Sequence, residues 1–133
     1  MINEKSKRIF IVDDDPYWSE LLKGILHSLG YFNVLGFESG EACLEQLGFE
    51  PEIIFLDYQM KNTDGITVLK QLREKNPYLY VIFTTSMEEL DIAVKAMKFG
   101  SFDFFPKSTV SEISVKNILA SVNLNRQNSD VFK

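Results

Sequence analysis

Ile53-Ile54-Phe55-Leu56-Asp57-Tyr58-Gln59-Met60-Lys61-Asn62-Thr63-Asp64-Gly65 is the stretch that decides the fold. Four apolar residues run straight into one carboxylate. A polar loop follows and closes at Asp64-Gly65. A short unbroken apolar run, bounded by Pro51 on one side and a glycine on the other, reads as a fully buried strand. Strands buried on both faces belong to parallel sheets covered by helices on each side. In open sheets of that kind, ligands bind beyond the carboxyl ends of the strands. Asp57 therefore stands where a site is expected.

Upstream, Ile9 to Val12 is a second such run, ending at Asp13-Asp14-Asp15-Pro16. Asp15 can cap a helix with Pro16 at its first position, where a missing N–H does no harm. Trp18, Leu21, Leu22, Ile25 and Leu29 follow a helical stripe, and Gly30 stops it. Asn33 to Phe37 reads as a strand. Ser39 can cap a helix that carries Ala42, Cys43 and Leu47 and ends near Gly48. Downstream of Gly65, Ile66, Leu69 and Leu72 predict a helix that must stop before Pro77. Tyr80 to Thr84 is a fourth strand. Leu90, Ala93, Val94 and Met97 give the cleanest helical stripe, closed by Gly100. The acids Glu88, Glu89 and Asp91 suit the start of that helix. Phe102 to Phe105 is a fifth strand. Thr109 with Glu112 reads as a capping box, and Val115, Ile118, Leu119 and Val122 form the last stripe.

Strands that alternate with helices predict an α/β protein with right-handed crossovers. Size and element count favour a flavodoxin-like, doubly wound, five-stranded parallel sheet of order 2-1-3-4-5, with five helices in a three-layer α/β/α arrangement. One domain is expected over residues 8–124, after a polar segment at 1–7 and before a polar tail or linker start at 125–133. The net charge of -5 argues against nonspecific nucleic-acid binding, because phosphate backbones demand a basic face. Cys43 is the one cysteine, so no intrachain disulfide and no cysteine-only metal cage can form; a small core residue is the expectation. No apolar run approaches the roughly 20 residues of a membrane span, and nothing resembles a signal peptide, so a cytoplasmic location is the default.

The polar residues at the strand ends now form a pattern. The first strand delivers Asp13 and Asp14, the third Asp57, the fourth Thr84, Thr85 and Ser86, and the fifth Lys107 just past Pro106. In the order 2-1-3-4-5 the first and third strands are neighbours, so their carboxylates converge. Three carboxylates in one crevice repel unless a cation compensates. An oxygen-rich set suits Mg²⁺, which often also coordinates phosphate oxygens. A carboxylate can attack a phosphoryl group and form an aspartyl phosphate. Such transfer needs mainly positioning and neutralisation of the transferred oxygens.

These motifs resemble the receiver domain of bacterial two-component response regulators, over about Arg8 to Leu124. Ile9-Phe10-Ile11-Val12-Asp13-Asp14 is similar to the family's acidic motif after the first strand. Asp57 matches the phosphoacceptor, and Met60 with Asp64-Gly65 matches the loop after it. Thr85 followed by the small Ser86 matches the hydroxyl that senses the phosphoryl group. The run from Ala96 to Lys107 resembles the approach to the phosphate-binding lysine, with Phe104 at the aromatic switch position. The resemblance implies Mg²⁺ (or Mn²⁺) held by Asp14, Asp57 and the Gln59 backbone carbonyl, with Asp13 acting through a water. It implies a sensor histidine kinase or a phosphotransfer protein as donor. It implies signalling, and possible homodimerisation, through the face made by the fourth and fifth helices and the fifth strand. The recipient is an output domain or a downstream protein. It implies no turnover enzyme, only self-catalysed phosphoryl acceptance and aspartyl-phosphate hydrolysis.

The chain departs from the family at two points. Lys61 and Ser108 stand where prolines are usual. The family's bond after the lysine is typically cis. A cis bond before a non-proline residue costs about 2.5–4 kcal/mol, so the isomer of Lys107-Ser108 stays open, and a trans bond would aim Lys107 differently. These departures keep open a phosphorylation-independent interaction module. A Mg²⁺-dependent phosphohydrolase is the other alternative, although Gln59 stands where haloacid-dehalogenase-type enzymes want a second acid. Phe104 reads equally as a strand aromatic. Trp18 reads as packing on the first helix, and His27, off the apolar stripe, as solvated.

Overall fold

Strands β1 (Ile9–Val12), β2 (Val34–Phe37), β3 (Ile53–Asp57), β4 (Tyr80–Thr85) and β5 (Asp103–Pro106) pair in parallel in the order β2-β1-β3-β4-β5. The computed structural model describes residues 7–86 and 90–131. Helices α1 (Pro16–Ser28), α2 (Gly40–Glu45), α3 (Gly65–Lys75), α4 (Leu90–Lys98) and α5 (Glu112–Val131) connect the strands and follow the last one. The expected fold class and strand order are observed. No helix among the described residues is long and apolar enough to cross a membrane.

The period of two along the strands divides the core between the two faces of the sheet. Ile9, Ile11, Ile53, Phe55, Ile82 and Phe105 pack on one side against Trp18, Leu22 and Leu26 of α1 and Val115, Ile118, Leu119 and Val122 of α5. Phe10, Val12, Ile54, Leu56, Val81 and Phe83 pack on the other against Cys43 of α2, Val68, Leu69 and Leu72 of α3 and Ala96 of α4. Every residue of β1 and β3 is buried, as a covered parallel sheet requires. Burial pushes the Cys43 thiol up to about 12, which leaves it an inert core residue.

Several boundaries and phases differ from the sequence reading. α1 buries Trp18, Leu22 and Leu26, one residue every turn, and leaves Leu21 half exposed. The apolar residues of α1 cover more than one stripe, and packing against α5 selects the phase. α2 ends at Glu45, and a separate 3-10 turn at Leu47–Phe49 follows. In α4 the stripe does not face the core: Val94 is 58% and Met97 47% exposed, while Ala96 is fully buried. Close approach to the sheet favours a small side chain there. Glu88 and Glu89, read as part of the start of this helix, lie outside the described residues, as does Met87.

The capping box of α5 is Ser111 with Ser114, not Thr109 with Glu112. Ser114 N–H donates to Ser111 Oγ at 3.0 Å, and Ser111 N–H donates to Ser114 Oγ at 2.8 Å. A 3-10 turn at Lys107–Thr109 delays the helix start, and Thr109 Oγ1 donates to Pro106 O at 2.9 Å. α5 then continues to Val131 where a polar tail or linker was expected. Its polar end is tied back to the sheet by Tyr80 Oη, which donates to Asn125 Oδ1 at 2.9 Å, and by Arg126 Nη1 to Glu52 Oε2 at 3.0 Å. Lys7, expected in a polar terminal segment, is buried, with its ammonium donating to Asn123 Oδ1. His27 is half-buried beside the Phe32 ring, with centroids 5.4 Å apart, and its Nε2 is covered rather than solvated.

Candidate functional site

The carboxyl ends of β1, β3 and β5 meet at one edge of the sheet, because β1 and β3 pair directly (Val12↔Leu56) and β4 bridges β3 to β5 (Asp57↔Thr84, Thr84↔Phe105). Asp57 is the last residue of β3 and follows the parity of Ile53 and Phe55, so it leaves the sheet on the side of α1 and α5. Asp13 continues the parity of Ile9 and Ile11 to the same side. Oxygens of Asp13, Asp14 and Asp57 lie within 4.8 Å of one another. Asp13 and Asp57 are each only 2% exposed, while Asp14 is half-buried.

Local hydrogen bonds hold each acid. Asp13 Oδ1 accepts from the Asp15 N–H at 2.8 Å. Asp15 turns away to cap α1, accepting from Tyr17 N–H at 3.0 Å and Trp18 N–H at 3.4 Å. Asp14 Oδ2 accepts from the backbone N–H of Lys61 at 3.0 Å. That bond closes the loop after Asp57 onto β1, so Lys61 contributes its backbone whatever its side chain. Gln59 and Asp64 pair in an isolated antiparallel bridge, and Gly65 N–H donates to Tyr58 O at 2.7 Å. A Cβ on Gly65 would run into the Asp57 carbonyl oxygen and come within 2.9 Å of Tyr58 Cα. Glycine is required there because α3 starts against the backbone of the site.

Lys107 supplies the cation. Its Nζ is 2.5 Å from Asp13 Oδ2 and 3.3 Å from Asp57 Oδ1. No described peptide bond is cis, so Lys107-Ser108 is trans, and Lys107 reaches the carboxylates nonetheless. Burial, with the nearby Asp13 charge, pushes Asp57 up to about 7, against the pull of Lys107. Burial also raises Asp13, although Lys107 and the Asp15 N–H act the other way. For Lys107, burial lowers the value, but the Asp13 hydrogen bond and the charges of Asp57 and Asp13 outweigh it, and the net shift is upward. The site is a dense set of charges that one ammonium does not fully compensate.

The remaining predicted residues lie close by in the fold. Thr84, the register partner of Asp57, donates its hydroxyl to Leu56 O at 3.4 Å. Thr85 is fully buried at the end of β4, and Ser86 is exposed just beyond it. Phe104 is half-buried against the core on the α2–α4 side, beside Phe83 in register. A cavity of about 440 Å³ opens beside Asp14, with Glu38, Ser39, Met60 and Lys61 among its walls. One contact was not legible as functional: the Trp18 ring lies under the Lys107 ammonium, 5.0 Å from Nζ to the ring centroid. The available signal was an aromatic in the first turn of the helix that Asp15 caps.

The three carboxylates fit a hard divalent cation. They offer only oxygen donors, they converge from two neighbouring strands, and two of them are raised by burial, a state that added positive charge relieves.

A family model described as the response regulator receiver domain matches residues 9–119. The chain is 36% identical over 100 residues to the DNA-binding transcriptional regulator NtrC of Escherichia coli K12, covering 74% of this chain and 21% of that protein. It is 34% identical over 107 residues to the response regulator protein TmoT of Ectopseudomonas mendocina, covering 80% and 48%. The chain thus spans about a fifth of the length of the NtrC relatives. The response regulator domain of Thermotoga maritima CheB superposes with a TM-score of 0.76 at 26% identity, over 90% of this chain and 95% of that one. A CheY-like receiver domain protein from Methanospirillum hungatei shares the fold with a TM-score of 0.81 at 22% identity, over 92% and 98%.

Proposed function

The chain belongs to the response regulator receiver family of two-component systems, and on that premise we propose that Asp57 is its phosphoacceptor. The observation that carries this reading is the placement of Lys107, whose ammonium spans Asp13 and Asp57 at the carboxyl edge of the sheet.

A sensor histidine kinase or a phosphotransfer protein is the donor in this reading. An Asp57 carboxylate oxygen attacks phosphorus, and the bond from phosphorus to the donor nitrogen breaks, its electron pair leaving with the donor. Asp57 must be ionised to attack. Asp14, Asp57 and the Gln59 backbone carbonyl would hold Mg²⁺ or Mn²⁺, with Asp13 through a water, and the ion would supply positive charge for the transferred oxygens. Lys107 moves with its ammonium from Asp13 toward a transferred oxygen, and the Thr85 hydroxyl donates to another. Hydrolysis of the aspartyl phosphate by water resets the domain. Both steps are self-catalysed and involve no external turnover substrate.

Movement of Thr85 toward the phosphoryl group opens space behind it, and the half-buried Phe104 turns into that space. The face made by α4, β5 and α5 changes shape, which serves an output domain, a downstream protein or a second copy. This is a local charge event that biases an element with two packings. Residues 8–124 form the receiver unit in this reading.

The test is intact mass after incubation with acetyl phosphate and Mg²⁺, with Asp57→Asn as control. A labile gain of one phosphoryl group in the native chain, absent in the variant, is the expected result. Unchanged incorporation in the variant would move the acceptor elsewhere.

A further inference from the structure

We propose that Trp18 is a positioning residue for Lys107, holding its ammonium in the crevice by a cation–π contact when the carboxylates are otherwise engaged. The proposal rests on the reading of Lys107 as the phosphoryl-binding lysine. Lys107 is anchored by Asp13 at 2.5 Å and Asp57 at 3.3 Å. Both anchors weaken once a divalent cation neutralises the carboxylates and Asp57 is esterified. The Trp18 ring is then an uncharged anchor that does not compete for the metal.

The geometry supports this. Lys107 Nζ lies over the Trp18 ring at 5.0 Å from its centroid, inside the roughly 6 Å range of the interaction. Trp18 is itself fixed: it is buried, it sits in the first turn of α1 that Asp15 caps, and its ring packs 6.5 Å from that of Phe105 on β5. The strand that delivers Lys107 and the ring beneath it are thus held together. Hydrogen bonding does not account for the indole, because its Nε1 is buried with no partner among the described residues. What indole adds over a smaller apolar side chain is the strongest π face among the aromatic residues. The residue after Lys107 is Ser108, which carries no ring to fix the backbone there. A side-chain support for the lysine has a defined task at such a position.

Two measurements decide it. The first is the rate of phosphoryl incorporation from acetyl phosphate with Mg²⁺ for the native chain, Trp18→Leu and Trp18→Phe, each also combined with Lys107→Met. Trp18→Leu should slow incorporation about 3- to 10-fold, within the range of a desolvated cation–π contact. Trp18→Phe should fall between. In the Lys107→Met background neither change should slow it further. Equal slowing in both backgrounds would overturn the proposal and leave Trp18 a packing residue. The second needs no phosphoryl chemistry: the NMR shifts of the Lys107 ε-methylene protons, with and without Mg²⁺. Ring current should displace them upfield in both states, and Trp18→Leu should return them. Unshifted protons in the Mg²⁺-loaded native chain would overturn the proposal. If the native chain accepts no phosphoryl group, the phosphoacceptor reading fails while the NMR measurement still judges the Trp18 contact.

Discussion

The Lys107 ammonium lies 2.5 Å from Asp13 Oδ2, closer than the 3.3 Å that separates it from Asp57 Oδ1. Its nearest partner is therefore Asp13 rather than Asp57, the proposed acceptor. The lysine is held in reserve within reach of the acceptor. On the proposed reading a metal ion and Lys107 draw on the same cluster of carboxylates, so metal entry should loosen this pair. Stability, metal affinity and reactivity are linked through that exchange.

The first prediction concerns pH. Burial holds Asp57 at about 7 in the folded protein, against an ordinary 3.8. As pH rises, the unfolded chain loses this proton first. Between the two values the folded state binds more protons, so this contribution to stability is full below about pH 4 and is lost as pH rises through about 7. Asp13, raised first by burial, acts in the same direction. Urea unfolding in EDTA should show the protein about 1–2 kcal/mol more stable at pH 6 than at pH 8. Mg²⁺ binding, followed by the rise in Tm, should weaken below pH 7 because a proton competes for Asp57. An equal Mg²⁺ effect at both pH values would contradict the link.

Asp57→Asn removes the charge that burial opposes while keeping the shape. At pH 8 without metal it should raise stability by about 1–3 kcal/mol, since a shift of one pKa unit corresponds to about 1.4 kcal/mol. Addition of Mg²⁺ should stabilise the native chain more than the variant and narrow the difference. Calorimetry with and without Mg²⁺ reads both effects. A variant less stable than the native chain in EDTA would show that Lys107 over-compensates the cluster.

Lys107→Met acts in the opposite sense on the metal-free protein. It leaves three converging carboxylates with no ammonium among them. Loss of one partner of a buried pair costs about 3–5 kcal/mol, and protonation of Asp57 at neutral pH should reduce this to about 3 kcal/mol. The same change removes the cation that competes with metal, so Mg²⁺ should bind several-fold more tightly. Urea unfolding and Mg²⁺ titration by thermal shift test the two halves separately. Unchanged Mg²⁺ affinity would mean that Lys107 and the metal do not share oxygens.

Much of this was legible because each signal had a short-range physical cause. The run from Ile53 to Leu56 ending in Asp57 reads as a covered strand, and the alternation of elements with the size of the chain favours the order in which the strand ends meet. The convergence of Asp13, Asp14, Asp57 and Lys107 followed from the expected strand order, and their roles from the resemblance to the receiver family. Helix phase was less legible where apolar residues cover more than one face. In α4 the regular spacing of Val94 and Met97 pointed to a buried stripe, yet the helix turns them outward and seats the small Ala96 on the sheet. In α1, Leu21 and Leu22 are equivalent by residue type, and contact with α5 decides between them. The Trp18–Lys107 contact joins a first turn to a strand end 89 positions away, a relation no local pattern encodes.

Gly65 is the backbone counterpart of the charged residues. A methyl group there would meet the Asp57 carbonyl and the Tyr58 backbone, neither of which is a flexible side-chain end. Gly65→Ala should destabilise the protein by about 1–3 kcal/mol, as overpacking against fixed neighbours does. It should also slow phosphoryl incorporation, because relief requires β3 or α3 to shift at Asp57. Stability measured by urea and incorporation measured by mass should fall together. Loss of stability with an unchanged rate would place the strain in α3 rather than at Asp57.

Ser111 and Ser114 offer a direct comparison between two candidate caps. The reciprocal bonds between them satisfy two groups at the N-terminus of α5, the task of a capping box. The hydroxyl of Thr109 instead closes the turn that carries Lys107, donating to Pro106 O. Ser111→Ala should cost about 1 kcal/mol of global stability, the usual loss for an N-cap serine. Thr109→Ala is an exposed change with one hydrogen bond at stake, so it should stay within about 0.5 kcal/mol. Because Ser111 lies four positions beyond Lys107 and Val115 anchors the next turn in the core, fraying in Ser111→Ala should remain local and leave metal affinity near the native value. Paired urea curves and a Mg²⁺ titration check this. A larger loss for Thr109→Ala than for Ser111→Ala would restore Thr109 as the effective start of the helix.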